Sequence, residues 1–202
     1  MTTRLELLCH AATSAVRTAA FPADEPLDPQ GRQTLAALPR LLRAVDRCWT
    51  SPALRARQTA EALQLEAAVE PMLRDCDYGR WTGRTFAAVA AEEPEAVATW
   101  LRDPAATLHG GESLLHLMER VAAWLDAQTG MAGRTVAVTH ASVIRAAVIH
   151  AIGAPPQSFW RIDVAPLSVA RLSGGGGLWT LASIGADRGG KARALPWTHQ
   201  RP

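Results

Sequence analysis

The sequence predicts an α/β fold, a three-layer α/β/α sandwich with a mostly parallel central sheet. Short apolar runs alternate with helical patterns through most of the 202 residues, as crossover units of a parallel sheet do. Two of these runs, at 5–9 and 135–139, each lead into a histidine followed by small residues. Open α/β sheets gather their polar groups at the carboxyl ends of parallel strands.

The first strand is Leu5-Glu6-Leu7-Leu8-Cys9, which delivers His10 into the loop Ala11-Ala12-Thr13. Residues 14–25 read as a loop with a short helical piece. A helix then starts with Asp28 as N-cap and Pro29 at its first position. Leu35, Leu38, Leu41 and Leu42 share one face of it, and Pro39 should kink or split the pattern. Residues 46–50 form a second strand stopping at Ser51-Pro52. A helix carries Arg55 and Thr59 on to Leu63, and 67–69 is a brief third strand closed by Pro71. Periodicity weakens over 72–108, the expected lid insertion, with a short helix at 86–93. Gly110-Gly111-Glu112-Ser113 opens an amphipathic helix bearing Leu114, Leu117, Val121, Trp124 and Leu125. A strand at 136–139 leads to a helix from Ser142 to about Ile152, ended by Gly153. Runs at 168–172 and 178–183 flank four glycines as a hairpin at the sheet edge. One domain over 1–184 and a loose tail at 185–202 are expected.

Hydrophobic residues make up 48% and charged residues 20% of the chain, enough apolar material for one core. The net charge is +2 with a single lysine, Lys191, so no basic stripe for nucleic acid is present. Cys9, Cys48 and Cys76 are odd in number and irregularly spaced, which points away from a disulfide framework and toward a reducing, cytoplasmic setting. No run reaches the ~18–20 apolar residues of a membrane span, so no membrane role is expected.

His10, Arg55 with Thr59, Asp75 and His140 all fall at element ends. A neutral imidazole can attack phosphorus, a guanidinium can bind phosphoryl oxygens, and a carboxylic acid can protonate a leaving oxygen. A second histidine can donate to a phosphoryl oxygen. Each residue also has a plain structural reading: a satisfied core histidine, a surface arginine, a turn-capping aspartate. Asp77 competes with Asp75 for the acid position. His109 and His116 read as loop and helix-surface residues rather than metal ligands. Trp81, Trp100 and Trp124 read as core or lid packing, with the alternative that one lines the pocket of an aromatic substrate, and Cys9 reads as a small buried residue. The set calls for no metal and no cofactor.

Taken together, these residues resemble the histidine phosphatase superfamily, in its phosphoglycerate mutase-like branch that includes α-ribazole phosphatases. Cys9-His10-Ala11-Ala12-Thr13 is similar to a first motif of Arg-His-Gly with a following Thr or Ser. Ser51, Arg55, Ala56 and Thr59 meet the second motif, Ser-x-x-x-Arg-Ala-x-x-Thr. Asp75 precedes Tyr78-Gly79-Arg80-Trp81-Thr82-Gly83 as an acid precedes that family's aromatic-Gly-x-Trp-x-Gly. Gly110 to Ser113 and the run from Thr139 to Arg145 match two further motifs. The resemblance implies a phosphoglycerate mutase-like fold, with His10 as the phosphorylated nucleophile and Asp75 as proton donor. It further implies a phosphate pocket of Arg55, His140, Thr13 and Ala141. Four positions depart from the pattern: Cys9 replaces arginine, Ala11 replaces glycine, Asp75 stands where Glu is commoner, and Val16 stands where many relatives carry asparagine. Arg17 is a candidate replacement guanidinium. The implied activity is hydrolysis of a small phosphorylated metabolite through phosphohistidine. Cys9 leaves a second reading open, a divergent member that binds a phosphorylated ligand or a partner, or that has been repurposed. The edge hairpin and the tryptophans are compatible with a homodimer.

Overall fold

A strand apolar on both faces needs cover on both sides. In β1 (Thr3–Cys9), Leu5, Leu7 and Cys9 join one buried cluster and Leu8 joins another. The computed structural model describes residues 3–37 and 45–186. In chain order β1 is followed by α1 (Ser14–Thr18), α2 (Pro29–Ala36), β2 (Arg47–Thr50), α3 (Leu54–Ala62) and β3 (Ala68–Val69). Then come α4 (Phe86–Glu92), α5 (Pro94–Arg102), α6 (Leu114–Gln128), β4 (Gly133–Thr139), α7 (Ala141–Ile152), β5 (Ser168–Gly175) and β6 (Leu178–Ala186).

The sheet runs β3-β2-β4-β1-β5-β6. The first four strands are mutually parallel, and β5 and β6 add an antiparallel edge. Helices α6 and α7 pack on the face of Leu5, Leu7 and Ala137, while Ala56 and Ala60 of α3 pack under Leu8 and Val138. The expected three-layer sandwich with a mostly parallel sheet is what forms. Among the described residues no helix is long and apolar enough to cross a membrane.

Expected element signals hold at their chemical origin. Asp28 accepts from the Gly31 N–H and Pro29 opens α2; Ser113 caps α6; Gly153 ends α7 in the left-handed region, at φ 61°. Leu35 is buried as its face predicts, whereas Leu38, Pro39, Leu41 and Leu42 lie outside the described residues. The lid segment holds a second helix the weak periodicity hid: α5, begun by Pro94. It buries Val97 and Trp100 with Phe21, Trp81 and Val89 in a small aromatic core of its own. Strand β6 runs to Ala186, so Gly185 and Ala186 belong to the sheet rather than to the tail; the remainder of the tail lies outside the described residues.

Candidate active site

Strands β1 and β4 are paired in register, Cys9 opposite Thr139, so the residues that follow each, His10 and His140, arrive side by side. Their rings meet edge to face at 5.2 Å between centroids. The His10 N–H donates to the Thr139 carbonyl at 2.9 Å, tying the two strand ends together. The loop beyond His10 is clamped from below. Thr59 Oγ1 accepts from the Ala11 N–H at 3.1 Å and donates to the Arg55 carbonyl at 2.7 Å. The Asp28 N–H donates to the Ala12 carbonyl at 3.1 Å. Gly31 lies so close that a Cβ there would meet the Ala12 oxygen at 2.3 Å. The second motif therefore both supplies Arg55 and holds the loop that follows His10.

His10 is buried, and its Nδ1 lies 2.7 Å from the Ala11 carbonyl oxygen. A carbonyl only accepts, so Nδ1 carries the proton and Nε2 keeps its lone pair. Burial, with the Arg55 charge adding to it, pulls the imidazole down to about 4. His140, wholly buried, is driven well below the ordinary histidine range by burial, with Asp75 opposing. Its Nε2 pairs with Ser51 Oγ at 2.7 Å.

Arg55 is 2% exposed; it donates to the Ala23 carbonyl at 2.6 Å and to Asp75 at 2.8 Å. Asp75 also faces His140 Nδ1 at 3.3 Å and accepts from the Ser142 hydroxyl. Burial alone would raise this carboxyl; the charges of His140 and Arg55 and the Ser142 hydroxyl outweigh it and hold it well below the usual carboxylate range. Two buried nitrogens at this spot, Arg55 Nε and His140 Nδ1, have no hydrogen-bond partner. Unpaired buried nitrogens are costly, and both belong to side chains that also contact Asp75.

Asp75 rather than Asp77 joins the site. Asp77 Oδ1 accepts from the Gly79 N–H, a turn contact. The segment bearing Asp75 is fixed through Glu112 and Arg120, a buried pair at 2.7 and 2.9 Å, with Arg120 also donating to the carbonyls of Met72 and Asp75. Gly111 allows this docking, since a Cβ on it would meet the Asp77 oxygen at 2.2 Å. Thr13 caps α1 and lines a cavity beside His10, as do Val16, Cys9 and Ala141. Ala141 is the first residue of α7, a helix start whose free N–H groups suit an anion.

Arg17 does not reach this site. It is 44% exposed and paired with Asp28 on the surface, because α1 turns its side chain away from the cavity that Val16 lines. The Cys9 thiol is buried and pushed up to about 12, by burial first and by the Asp75 charge second. It is a neutral, space-filling group. His116 is exposed on α6, while His109, although in a loop, is buried against Trp81 with Nδ1 accepting from the Gly111 N–H.

Residue-by-residue reading of the sequence gave no role to Ser51, Ser142 or Arg145. Their signal was positional: Ala141, Ser142 and Arg145 follow His140 at spacings that share one helix face.

Three comparisons place this geometry among known proteins. The chain is 36% identical over 129 residues to the "Bifunctional protein Rv2228c" of Mycobacterium tuberculosis, covering 60% of this chain and 35% of that protein. It thus spans about a third of that relative's length. It is 28% identical over 146 residues to "Phosphoserine phosphatase 1" of Hydrogenobacter thermophilus, covering 68% and 69% of the two chains. In structure it is similar to the mycobacterial glucosyl-3-phosphoglycerate phosphatase Rv2419c complexed with VO3, with TM-score 0.81, 26% identity, and 91% and 99% of the two chains covered. The sequence pattern of the histidine phosphatase superfamily (branch 1) matches residues 5–187, and the chain belongs to that family.

Proposed function

We propose that this protein is a phosphatase that hydrolyses a small phosphate monoester through a phosphohistidine at His10, with no metal. The observation that carries the reading is the pair of unsatisfied buried nitrogens, Arg55 Nε and His140 Nδ1, beside an imidazole whose Nε2 is unprotonated. A phosphoryl group brings three acceptor oxygens to such donors. The relatives named phosphatases, and VO3 in the complex of one of them, support the same reading.

In the first step His10 Nε2 bonds to phosphorus as the ester P–O bond breaks, and the leaving oxygen takes a proton. Asp75 is ionised in the free site, so in the first turnover that proton enters with the substrate, as its monoanion. Arg55 and His140 hold the transferring oxygens, where charge develops. In the second step water attacks phosphorus, its proton goes to the Asp75 carboxylate, and the P–N electron pair returns to Nε2. Asp75 then sheds that proton to solvent, and the site returns to its ionised state for the next substrate.

The test is hydrolysis of an aryl phosphate with rapid acid-free quenching. An acid-labile, base-stable phosphate on His10 that disappears in His10→Ala supports the reading. Phosphate binding without turnover or label would instead favour the second reading opened by Cys9, a member that only binds phosphorylated ligands.

A further inference from the structure

The cavity beside His10 has a volume of about 210 Å³. Cys9 lines it, a small thiol standing where the family motif has an arginine. Its walls are mostly apolar and include the rings of Phe21, Tyr78, Phe86, Trp100 and Trp160. Arg145 is the one arginine among the lining residues, and no lysine is among them. It is 6% exposed, and its Nε donates to the Ile162 carbonyl at 2.8 Å. The guanidinium carbon lies 5.6 Å from the Phe159 ring centroid and 6.0 Å from that of Trp160. These contacts hold a cation rigidly against aromatic faces.

The titratable groups acting on Arg145 include Tyr78, Asp163, Cys9 and Asp75, and those acting on His10 include Arg55, Asp75 and Glu25. Arg55 is thus a guanidinium that bears on His10, while Arg145 lines the cavity.

We propose that this cavity is a leaving-group pocket selecting an aromatic phosphate monoester that bears a carboxylate, with Arg145 as the residue that reads the carboxylate. The proposal rests on the phosphatase reading and deepens it. A sugar or glycerol body would surrender water for walls that offer its hydroxyls few partners, whereas an aromatic ring gains apolar burial and edge-to-face contacts. A cavity of about 150 Å³ accepts benzene, so this one has room for a ring and a small substituent. A carboxylate on that substituent can pair with the charge of the guanidinium.

Carboxyphenyl phosphate and phenyl phosphate form the matched test. Wild type is expected to prefer the carboxylated ester roughly 10-fold or more in kcat/KM, as a charge-assisted contact supplies. Within Arg145→Gln the ratio of the two should fall to near one, and within Arg145→Lys it should be intermediate. Reading a ratio inside each variant removes differences in folded fraction. A wild-type ratio near one overturns the proposal without any variant, and so does an unchanged ratio in Arg145→Gln. A second readout needs no turnover: hydroxybenzoate should quench the fluorescence of Trp100 and Trp160 in His10→Ala, more weakly when Arg145→Gln is added. Quenching in a protein that hydrolyses neither ester would leave the pocket standing and sink the phosphatase reading; turnover with no quenching and no preference would do the reverse.

Discussion

At His10 the guanidinium that bears on the imidazole is that of Arg55, and the neighbouring Cys9 thiol, protonated and neutral, adds no positive charge. A charge-assisted contact is worth ~1.5–3 kcal/mol, roughly a 10–100-fold rate factor. Cys9→Arg should therefore raise kcat/KM for a compact ester such as glycerol phosphate by about that factor, and lower it for aryl esters by filling their cavity. Steady-state kinetics on both esters check this, and a parallel change in the two would contradict it. The pH profile is set by two protons. His10 must be neutral, which holds above about pH 4. The substrate must bring a proton because Asp75 is ionised, which holds below its second pKa of ~6. The expected kcat/KM profile is a bell between these limits, and an optimum above pH 7 would rule out the substrate as proton source. Arg17 and Arg145 show how far single residues were legible. Arg17 is a candidate only through its nearness in sequence to His10, and α1 directs it to Asp28. Arg145 reaches the cavity because β4 and α7 fold back beside β1, a relation that spacing along the chain does not express.

Elements decide how accurately those residues are held. The loop after β1 is fixed by Thr59 of α3 and by the close approach of α2 at Gly31. Gly31→Ala puts a methyl 2.3 Å from the Ala12 oxygen, and relieving it must move α2 or the loop. Overpacking of this kind costs about 1–3 kcal/mol. The expected result is a modest drop in melting temperature with a disproportionate loss of kcat, since His10 is displaced; full kcat would show that α2 yields instead. The segment bearing Asp75 depends on the Glu112–Arg120 pair, both partners being nearly buried. Removing one partner of a buried pair typically costs 3–5 kcal/mol, so Arg120→Met should destabilise strongly, and urea titration reads it. A small loss there would mean that the Asp75 segment is held mainly by its backbone. The glycine and glutamate of the Gly-Gly-Glu-Ser run were legible as a pattern. Their purpose was not, because the Asp77 carbonyl and the Arg120 fork come from segments distant in sequence.

Across the whole molecule the site makes stability depend on acid. His10 and His140 have folded pKa values below the ordinary ~6.5, so the unfolded chain takes up protons first as pH falls. Their contribution is complete above pH 6.5 and declines as pH drops toward about 4, the folded value for His10. Asp75, depressed in the folded state, contributes above its unfolded value of ~3.9 and loses that below it. Melting temperature should therefore fall steadily from pH 7 to pH 4.5, by ~2–4 °C for each kcal/mol lost. His10→Phe should flatten part of that slope, and a wild-type curve that is level over this range would contradict the assignment of buried neutral histidines.

The sequence by itself determined the layer architecture, the order of nearly all elements, their caps, and the family motifs around His10, Arg55, Asp75 and His140. Periodicity, capping chemistry and short motifs are local, so one chain suffices to state them. Only the tertiary structure decided that Asp75 and not Asp77 enters the site, that Arg17 leaves it, that α5 builds a separate aromatic core with Phe21 and Trp81, and that Cys9 and Arg145 line one cavity. Each of these depends on which strand ends lie adjacent and which side chains meet across them, and pairing in the sheet settles that.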